Sequence, residues 1–453
     1  MIAPHRKAPA PPVRLVHLGL GNFFRAHQAW YTDRTPDAAD WGIAAFTGRS
    51  ARLAEAMTVQ DCLYTLITRA ADGDRFDLIG SVARAHAAAD HGAWLRYLAC
   101  PEVAAVTCTV TEAGYLLKAG GGLDAEHPGI QGDIAALRHD LRTPVVTAPG
   151  RLLGGLAARR ALDAGPVTLV SCDNLPHNGA VVSQAIRDLA RLVDPTLLEW
   201  LETSVSCVTT MVDRITPRTT AADEQAVAER TGIDDRAPVV TEPFSEWVLS
   251  GDFIGGRPRW EDAGATFTAD ISPFEQRKLF LLNGGHSLLA YASAIRGATT
   301  VADAVSDATS RAWLKAWWVE ASPHLSLPAA DVAAYCEALL ERFANPRMHH
   351  RLEQIAADGS QKLPVRILPT LRAERAAGRM PEGATRILAA WVLHLRGLGV
   401  PVADVQAETL GSLAAGRLPE AAQRVLRWLD PEVGADDEVV AAVVEQAREL
   451  AQQ

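Results

Sequence analysis

The sequence is poor in lysine and cysteine and has no long apolar run. The cysteines and the short apolar runs each exclude a class of protein. The six cysteines form no Cys-x-x-Cys pair, so neither a zinc site nor a disulfide framework is indicated, and reduced thiols favour a cytoplasmic location. No apolar stretch reaches the roughly 18 residues of a membrane span, so we expect no membrane segment. Only five lysines occur, at positions 7, 118, 278, 315 and 362.

Acidic side chains outnumber basic ones, 54 against 44, which gives a formal net charge of −10. A surface of this sign does not attract a phosphate backbone, so we expect no nucleic-acid partner. With 48% hydrophobic and 22% charged residues, the composition is that of a globular protein. A small molecule is therefore the expected partner, and no pattern indicates an oligomeric state.

The first half of the sequence alternates between predicted strands and helices. Val13–Leu18 is typical of a buried strand; a turn at Gly19-Leu20-Gly21 and a helix over 24–38 follow, and Gly42–Thr47 is predicted as the next strand. Further strands are predicted at 63–68, 76–82, 106–111, 167–171 and 207–211. Strands that alternate with helices indicate an α/β domain with a mostly parallel sheet.

The second half has a different pattern. Residues 218–237 are polar and are predicted to form a connection, and from about residue 270 the pattern is almost wholly helical. We therefore predict an α/β domain over 13–240 and a mainly α-helical domain over 241–453.

The turn after the first strand has the pattern of a nucleotide site. Gly19 permits a tight turn and Gly21 lets the backbone approach a pyrophosphate, which the start of the next helix would bind. The third glycine of the usual fingerprint is absent, and a simple strand-to-helix turn is the alternative reading. The cofactor contacts expected here are Gly19, Gly21, Asn22, Phe23 and Phe24.

The end of the second strand leaves the choice between NAD and NADP open. The sequence there, Phe46-Thr47-Gly48-Arg49-Ser50, has no carboxylate to bind an adenosine ribose, whereas Arg49 suits a 2′-phosphate. Arg49 as a solvated loop residue is the alternative. Thr111 and Glu112, which follow the strand at 106–111, are further expected cofactor contacts.

A helix predicted to begin at Ser272 carries three residues suited to alcohol–ketone chemistry, namely Lys278, Asn283 and His286. At about 100° per residue, Asn283 would lie about 140° and His286 about 80° from Lys278, so all three share one arc. The two glycines after Asn283 suggest the close approach of another group. A surface lysine, a packing asparagine and a core histidine are the alternative.

Such a set suits hydride transfer without a metal. A partly buried lysine can give and take the proton of the alcohol, because desolvation lowers the pKa of an amine. Asparagine can donate a hydrogen bond to the developing alkoxide, and histidine can bind a substrate hydroxyl.

Five ordered motifs resemble the mannitol dehydrogenase family, the polyol-specific long-chain dehydrogenases. They are GLGNFFRAHQ, TVTEAGY, SCDNLPHNG, MVDRITP and the spacing Lys278-x4-Asn283-x2-His286. The resemblance implies an NAD(P)-dependent oxidoreductase without zinc, with Lys278 as general acid and base. It implies that the domain over 13–240 is a Rossmann-type dinucleotide-binding domain and that the helical domain over 241–453 is the substrate and catalytic domain. It also implies that Asn174 and Asn283 stabilise the alkoxide, and that Asp213 and His286 hold substrate hydroxyls and set the electrostatics of the lysine.

The segment Asp358–Arg366 resembles the fructuronate reductase branch of this family. Its two cations, Lys362 and Arg366, suit a carboxylate or a phosphate better than a hydroxymethyl group, so D-fructuronate and D-mannonate are the favoured substrates. Arg366 could instead pair with a neighbouring acid. A D-mannitol or D-arabinitol 2-dehydrogenase is the second reading, and a non-catalytic nucleotide- or sugar-binding regulator is the third.

Overall fold

The computed structural model describes residues 3–118 and 121–452, without the side chains of Glu112 and Ala113. The chain divides into two compact units, Met1–Ile271 and Ser272–Gln453. The strands all belong to the first unit: β1 Val13–Leu18, β2 Gly42–Phe46, β3 Tyr64–Ala70, β4 Gly73–Ile79, β5 Val82–His86, β6 Ala105–Cys108, β7 Val167–Ser171, β8 Val205–Asp213, β9 Val239–Thr241, β10 Glu246–Ser250 and β11 Thr266–Phe267.

Helices connect these strands. The α-helices of the first unit are Asn22–Ala26, Gln28–Arg34, Arg52–Val59, His91–Leu98, Pro128–His139, Ala148–Ala161, Asn178–Val193, Leu197–Ser204 and Ala221–Thr231. Its 3-10 turns are Ala38–Asp40, Glu112–Tyr115 and Trp260–Ala263.

The main sheet has the strand order β11-β10-β8-β7-β6-β1-β2-β5. The six strands from β8 to β5 run parallel, while β10 pairs antiparallel with β8. This confirms the mostly parallel sheet. The direction of strand addition reverses between β1 and β6, and open α/β sheets bind ligands beyond the carboxyl ends of the strands at such a point.

The main sheet is covered on both faces, as its continuous apolar strands predict. Successive residues of β1 belong to opposite cores, Leu15 to one and Val16 to the other, because side chains alternate along a strand. A separate three-stranded sheet, β4-β3-β9, was not predicted, because the single strand expected at 76–82 is divided. The chain turns at Gly80 and Ser81, whose N–H and hydroxyl groups donate to Asp33 and to the backbone of Ala29.

Two helix predictions in the first unit need correction. The helix expected over 24–38 is interrupted at His27, whose ring stacks on Phe23 and donates to the carbonyl oxygen of Glu246. The polar segment 218–237, predicted as a connection, contains the helix Ala221–Thr231. A capping box between Thr220 and Asp223 begins that helix, which buries little besides Val227 and therefore lacks an apolar stripe.

The boundary between the units also differs from the predicted break at 240/241. Strands β9, β10 and β11 extend the sheets of the first unit, so the break falls between Ile271 and Ser272. These strands are short and lie among polar turns, which left them without a clear signal in the sequence.

The second unit is helical, as predicted. Its centre is the helix Glu382–Leu395, which is buried on almost every side and is packed against the last helix of the chain. The α-helical segments are Ser272–Arg277, Gly284–Leu288, Val301–Ser306, Ala308–Ala321, Ala329–Phe343, Leu352–Ala356, Gly359–Arg366, Leu368–Ala376, Glu382–Leu395, Ala407–Ala414, Leu418–Leu429 and Asp437–Ala451. Lys278–Asn283 and Leu289–Ser293 are π-helical, and Ser322–His324, Pro346–Met348 and Val433–Ala435 are 3-10 turns.

Gly19 is required by the turn at the carboxyl end of β1. Its φ of +116° is a conformation that L side chains rarely adopt, and a Cβ there would overlap the carbonyl oxygen of Thr109. The N–H groups of Gly19 and Leu20 both donate to the carbonyl oxygen of Phe46 at 2.9 and 2.8 Å. This turn therefore holds the ends of β1, β2 and β6 together.

Asp173 joins the ends of β6 and β7. Its carboxylate accepts hydrogen bonds from the backbone N–H of Val110, from the hydroxyl of Tyr115 and, at 2.7 Å, from the hydroxyl of Ser171. Burial outweighs these bonds and raises the pKa of Asp173 to about 6. Asn178 continues the network by bonding the carbonyl oxygens of Asp173 and Thr210 at 2.8 and 2.7 Å.

We expect Gly19→Ala to lower the free energy of unfolding by about 3 kcal/mol or more, because it combines backbone strain with overlap of a main-chain oxygen. Gly132→Ala is the control: a Cβ at Gly132 meets nothing within 4 Å and the residue lies in a helix, so it should be neutral or slightly stabilising. Thermal unfolding followed by circular dichroism checks both variants. Equal melting temperatures would contradict the role of Gly19.

We expect Asp173→Asn to flatten the pH dependence of stability below neutrality. The unfolded chain releases this proton near pH 4 and the folded chain near pH 6, so the wild type loses stability as the pH rises between them, by about 3 kcal/mol. Thermal unfolding at pH 4.5, 5.5 and 7.5 measures the difference between wild type and variant. Asp72→Asn, at an exposed turn, should keep the wild-type slope, and an unchanged slope in Asp173→Asn would contradict the raised pKa.

Candidate active site

The polar residues of the first unit follow the carboxyl ends of neighbouring parallel strands. Gly19, Gly21 and Asn22 follow β1, Arg49 follows β2, Thr111 and Glu112 follow β6, Asn174 follows β7, and Asp213 ends β8. Because these strands are adjacent and parallel, their polar termini lie along one edge of the sheet. Asp213 is buried, whereas Thr111 and Asn174 are exposed. The side chain of Glu112 lies outside the described part of the structure.

The three residues after Gly21 differ in what they can offer a ligand. Asn22 accepts a hydrogen bond from Arg25 at 2.7 Å, and Phe23 is partly buried. Phe24 is wholly buried and stacks on His17 at 3.6 Å between ring centroids, so its side chain supports the turn from inside the core. A cofactor could therefore reach Phe24 only through its backbone, and the predicted cofactor contact at this position stays a prediction. His17 itself is tied to Thr107 and Thr109.

The turn fits a dinucleotide. A Cβ at Gly21 would meet only the carbonyl oxygen of Gly19, at 3.5 Å, which leaves the outer side of the turn open. Next to the turn, Leu20 borders a cleft of about 380 Å³ at the end of β2. Arg49 is exposed and lines this cleft, and so do Arg52 and Arg236, which the sequence analysis missed.

In the second unit, Lys278 and Asn283 are the first and last residues of a π-helical segment. In such a turn the N–H bonds to the carbonyl five residues earlier, as the bond from Gly284 to Leu279 shows. Residues five apart therefore lie about one turn apart on the same side. The regular α-helix assumed from the sequence is thus wrong for this segment, and the wider turn brings the positions of Lys278 and Asn283 to the same side of the helix.

The helix Ala308–Ala321 supports this wide turn. Trp317 donates its indole N–H to the carbonyl oxygen of Phe280 at 2.9 Å, and Trp318 donates to that of Leu281 at 3.0 Å. A π-helical segment perturbs the regular hydrogen-bond ladder, and the two indoles provide partners for carbonyls in its middle. No sequence signal linked these tryptophans to residues almost forty positions earlier.

The glycines after Asn283 serve this packing. A Cβ at Gly284 would lie 2.8 Å from the ring of Trp317, and one at Gly285 would lie 2.9 Å from Leu314. The close approach suggested by the sequence is therefore that of the neighbouring helix, so these glycines are no evidence for a substrate at this position.

His286 is buried, with an orphaned ring nitrogen. Its ring stacks on Phe343 at 4.7 Å and meets the edge of His350 at 5.0 Å, while Nε2 has no hydrogen-bond partner within the described residues. Burial, followed by electrostatic interactions with His350, Arg366 and other neighbours, holds the pKa of His286 well below its usual value. The imidazole is therefore neutral at neutral pH and can exchange a hydrogen bond with a hydroxyl group.

Several cations surround His286. Arg366, Arg342 and Lys362 all contribute to lowering its pKa, and Arg342 was missed by the sequence analysis. Arg366 donates to the carbonyl oxygen of Asn283 at 3.4 Å and to the hydroxyl of Ser287 at 3.3 Å. Positively charged side chains therefore act on His286, and such charges favour an anionic ligand nearby.

The two cations predicted to bind substrate differ in their environments. Lys362 donates to the carbonyl oxygens of Ile355 and Ala357, so part of its hydrogen-bonding capacity stabilises the preceding helix end. Arg366 lies one helical turn further on and reaches the segment that carries Asn283. Arg366 is thus the better placed of the two for a role beside Asn283.

Among residues 3–118 and 121–452, no helix combines the length and the apolar character that crossing a bilayer requires. The model of the mannitol dehydrogenase Rossmann domain matches residues 13–262, and that of the mannitol dehydrogenase C-terminal domain matches residues 270–451. Together these models account for most of the chain.

Curated relatives and solved structures agree with this match. D-mannonate oxidoreductase of Escherichia coli is 39% identical over 85% of this chain and 80% of its own length. D-arabinitol 4-dehydrogenase of Ralstonia nicotianae is 40% identical over 84% and 82%. The structure of Pseudomonas fluorescens mannitol 2-dehydrogenase with NAD and D-mannitol is 35% identical, with a TM-score of 0.82 over 97% of this chain and 92% of that one. The chain therefore belongs to the mannitol dehydrogenase family of NAD(P)-dependent oxidoreductases.

Proposed function

We propose that this enzyme interconverts D-mannonate and D-fructuronate. The observation that carries the proposal is the position of Arg366, whose guanidinium donates to the carbonyl oxygen of Asn283 and to the hydroxyl of Ser287 and is one of the cations that act on His286. A hexuronate has a carboxylate that a neutral ketose lacks, and charge-assisted hydrogen bonds to it are about twice as strong as neutral ones. The similarity to D-mannonate oxidoreductase supports the same substrate class.

Arg366 is the proposed carboxylate ligand. It donates to the carbonyl oxygen of Asn283 and to the hydroxyl of Ser287, so its guanidinium lies beside the segment that carries Asn283. A planar guanidinium can present paired N–H donors to a carboxylate. Lys362 then acts mainly by its charge, since its ammonium is bonded to two backbone carbonyls.

The nicotinamide, when bound, supplies the hydride-transfer chemistry. Lys278, partly buried at the start of the π-helical segment, gives a proton to the carbonyl oxygen during reduction and takes it back during oxidation. Asn283, at the other end of the segment, donates an amide hydrogen bond to the developing alkoxide, and the family motif assigns the same task to Asn174. Neutral His286 binds a substrate hydroxyl through its orphaned Nε2, and Asp213 is proposed to hold another.

The residues proposed to bind a dinucleotide lie at the carboxyl edge of the main sheet. Gly19 and Gly21 shape the turn that accepts the pyrophosphate, and Asn22, Phe23, Thr111 and Glu112 are proposed to complete its surroundings. A cytoplasmic location is part of the same proposal, since all six cysteines are free thiols.

A neutral polyol is the second candidate substrate. It is favoured by the identity to D-arabinitol 4-dehydrogenase, which is as high as that to D-mannonate oxidoreductase. Lys278, Asn283 and His286 do not distinguish the two candidates, because both reactions interconvert a secondary alcohol and a ketone.

The two candidates are separated by a panel of D-fructuronate, D-tagaturonate and D-fructose, followed at 340 nm with NADH and with NADPH. We expect the highest kcat/KM with D-fructuronate. Arg366→Ala should lower that value by about 10- to 100-fold, the effect of losing a hydrogen bond to a charged group, and change that for D-fructose less than about threefold.

Arg448→Ala, which removes an exposed arginine of the last helix, controls for the loss of one positive charge. It should leave all rates unchanged. Equal losses with uronate and fructose in Arg366→Ala would contradict the carboxylate role, and a wild type faster with fructose would contradict the proposed substrate.

A further inference from the structure

The cleft at the end of β2 is lined by three arginines from distant parts of the sequence. Arg49 belongs to the loop after β2, Arg52 begins the following helix, and Arg236 precedes β9. The cleft has a volume of about 380 Å³, and Leu20 of the glycine turn forms part of its wall. It therefore joins the nucleotide turn directly to a strongly basic surface.

No carboxylate lines this cleft within the described residues. Asp234 is the nearest acid with a recorded contact: it reaches Arg236 at 3.9 Å, and both side chains are largely exposed, so this pair contributes little. Three guanidinium groups around one cleft repel each other in the absence of an anion, and a dianion bound among them would relieve that repulsion.

The position of the cleft identifies its ligand. In a sheet of this order, the end of the second strand is where the adenosine ribose lies, and an acid there accepts a hydrogen bond from its 2′-hydroxyl. Here Thr47, Gly48, Arg49 and Ser50 occupy that position, and none can serve as such an acid. The hydroxyl of Ser50 accepts from the N–H of Arg52 at 3.3 Å, which places the start of the helix Arg52–Val59 at the cleft.

We propose that Arg49, Arg52 and Arg236 bind the 2′-phosphate of NADP(H), and that the enzyme prefers NADP(H) to NAD(H). Guanidinium groups match the geometry of a phosphate with paired N–H donors, and the adjacent helix start adds a favourable dipole. The preference does not depend on which sugar the enzyme reduces, because the cleft lies wholly in the first unit.

Binding of cofactor fragments to the full chain tests this without any substrate. Isothermal titration at low salt compares 2′,5′-ADP with 5′-AMP, which differ only in the 2′-phosphate, and NADPH with NADH. We expect the member of each pair that carries the 2′-phosphate to bind at least tenfold more tightly. The advantage should shrink as salt is raised, because the contacts are ionic and exposed.

Variants assign the effect to the cleft. Arg49→Ala and Arg236→Ala should each raise the Kd of 2′,5′-ADP about tenfold and leave that of 5′-AMP within about twofold, and the double variant should remove the difference. Arg96→Ala, an exposed arginine on another helix of the same unit, should change neither Kd. These side chains are exposed, so circular dichroism should show all variants folded.

Two results would overturn the proposal. One is a wild type that binds NADH as tightly as NADPH, and the other is a double variant that keeps the full preference for 2′,5′-ADP. A failure of the hexuronate assignment alone would appear as altered kcat/KM values among sugars with the binding constants above unchanged, so the two proposals fail separately.

Discussion

Two indole N–H groups stabilise the wide helical turn that carries the candidate catalytic residues. Trp317 and Trp318 donate to the carbonyls of Phe280 and Leu281, which lie in the middle of the π-helical segment. Two glycines directly after the segment allow the helix Ala308–Ala321 to approach closely enough for those bonds. Without the two indoles, each of these carbonyls would lose a buried hydrogen bond, which contributes about 0.5–1.5 kcal/mol, and that of Leu281 would keep the N–H of Gly284. Regular α-helix would then be favoured, and the register of Lys278 with Asn283 would change.

Buried hydrogen bonds also stabilise irregular backbone in the first unit, where polar groups fix the ends of the strands. The turn at Gly19 lets the carbonyl oxygen of Phe46 accept two N–H groups, which joins the ends of β1 and β2. The carboxylate of Asp173 accepts hydrogen bonds from groups that follow β6 and end β7. The raised pKa of Asp173 shows what its burial costs. These hydrogen bonds hold the ends of the strands in place while the carboxyl edge of the sheet stays open. A surface that presents backbone groups to a charged ligand needs both properties.

Local pattern was sufficient to predict most of the fold. The strands Val13–Leu18 and Val167–Ser171 were placed correctly because continuous apolar runs bounded by turn residues have few alternatives. The helix Ala221–Thr231 escaped because its single fully buried apolar residue leaves no periodicity to detect. The π-helical turn escaped because its cause, the tryptophan pair, lies in another helix. For the candidate site, spacing was enough to propose Lys278, Asn283 and His286. Arg236 and Arg342 were missed, because only the tertiary structure brings Arg236 to the other arginines of the cleft and Arg342 close to His286.

Proton transfer by Lys278 is the step on which the proposed mechanism depends, and chemical rescue measures it in isolation. In single-turnover reduction, we expect Lys278→Ala to lower the rate by about 10²- to 10⁴-fold, the usual contribution of a general acid. Added methylamine or ethylamine should restore part of the rate in proportion to its concentration, while cofactor affinity stays unchanged. A Lys278→Ala variant that retains the wild-type rate without any amine would contradict the assignment of this residue as the proton donor.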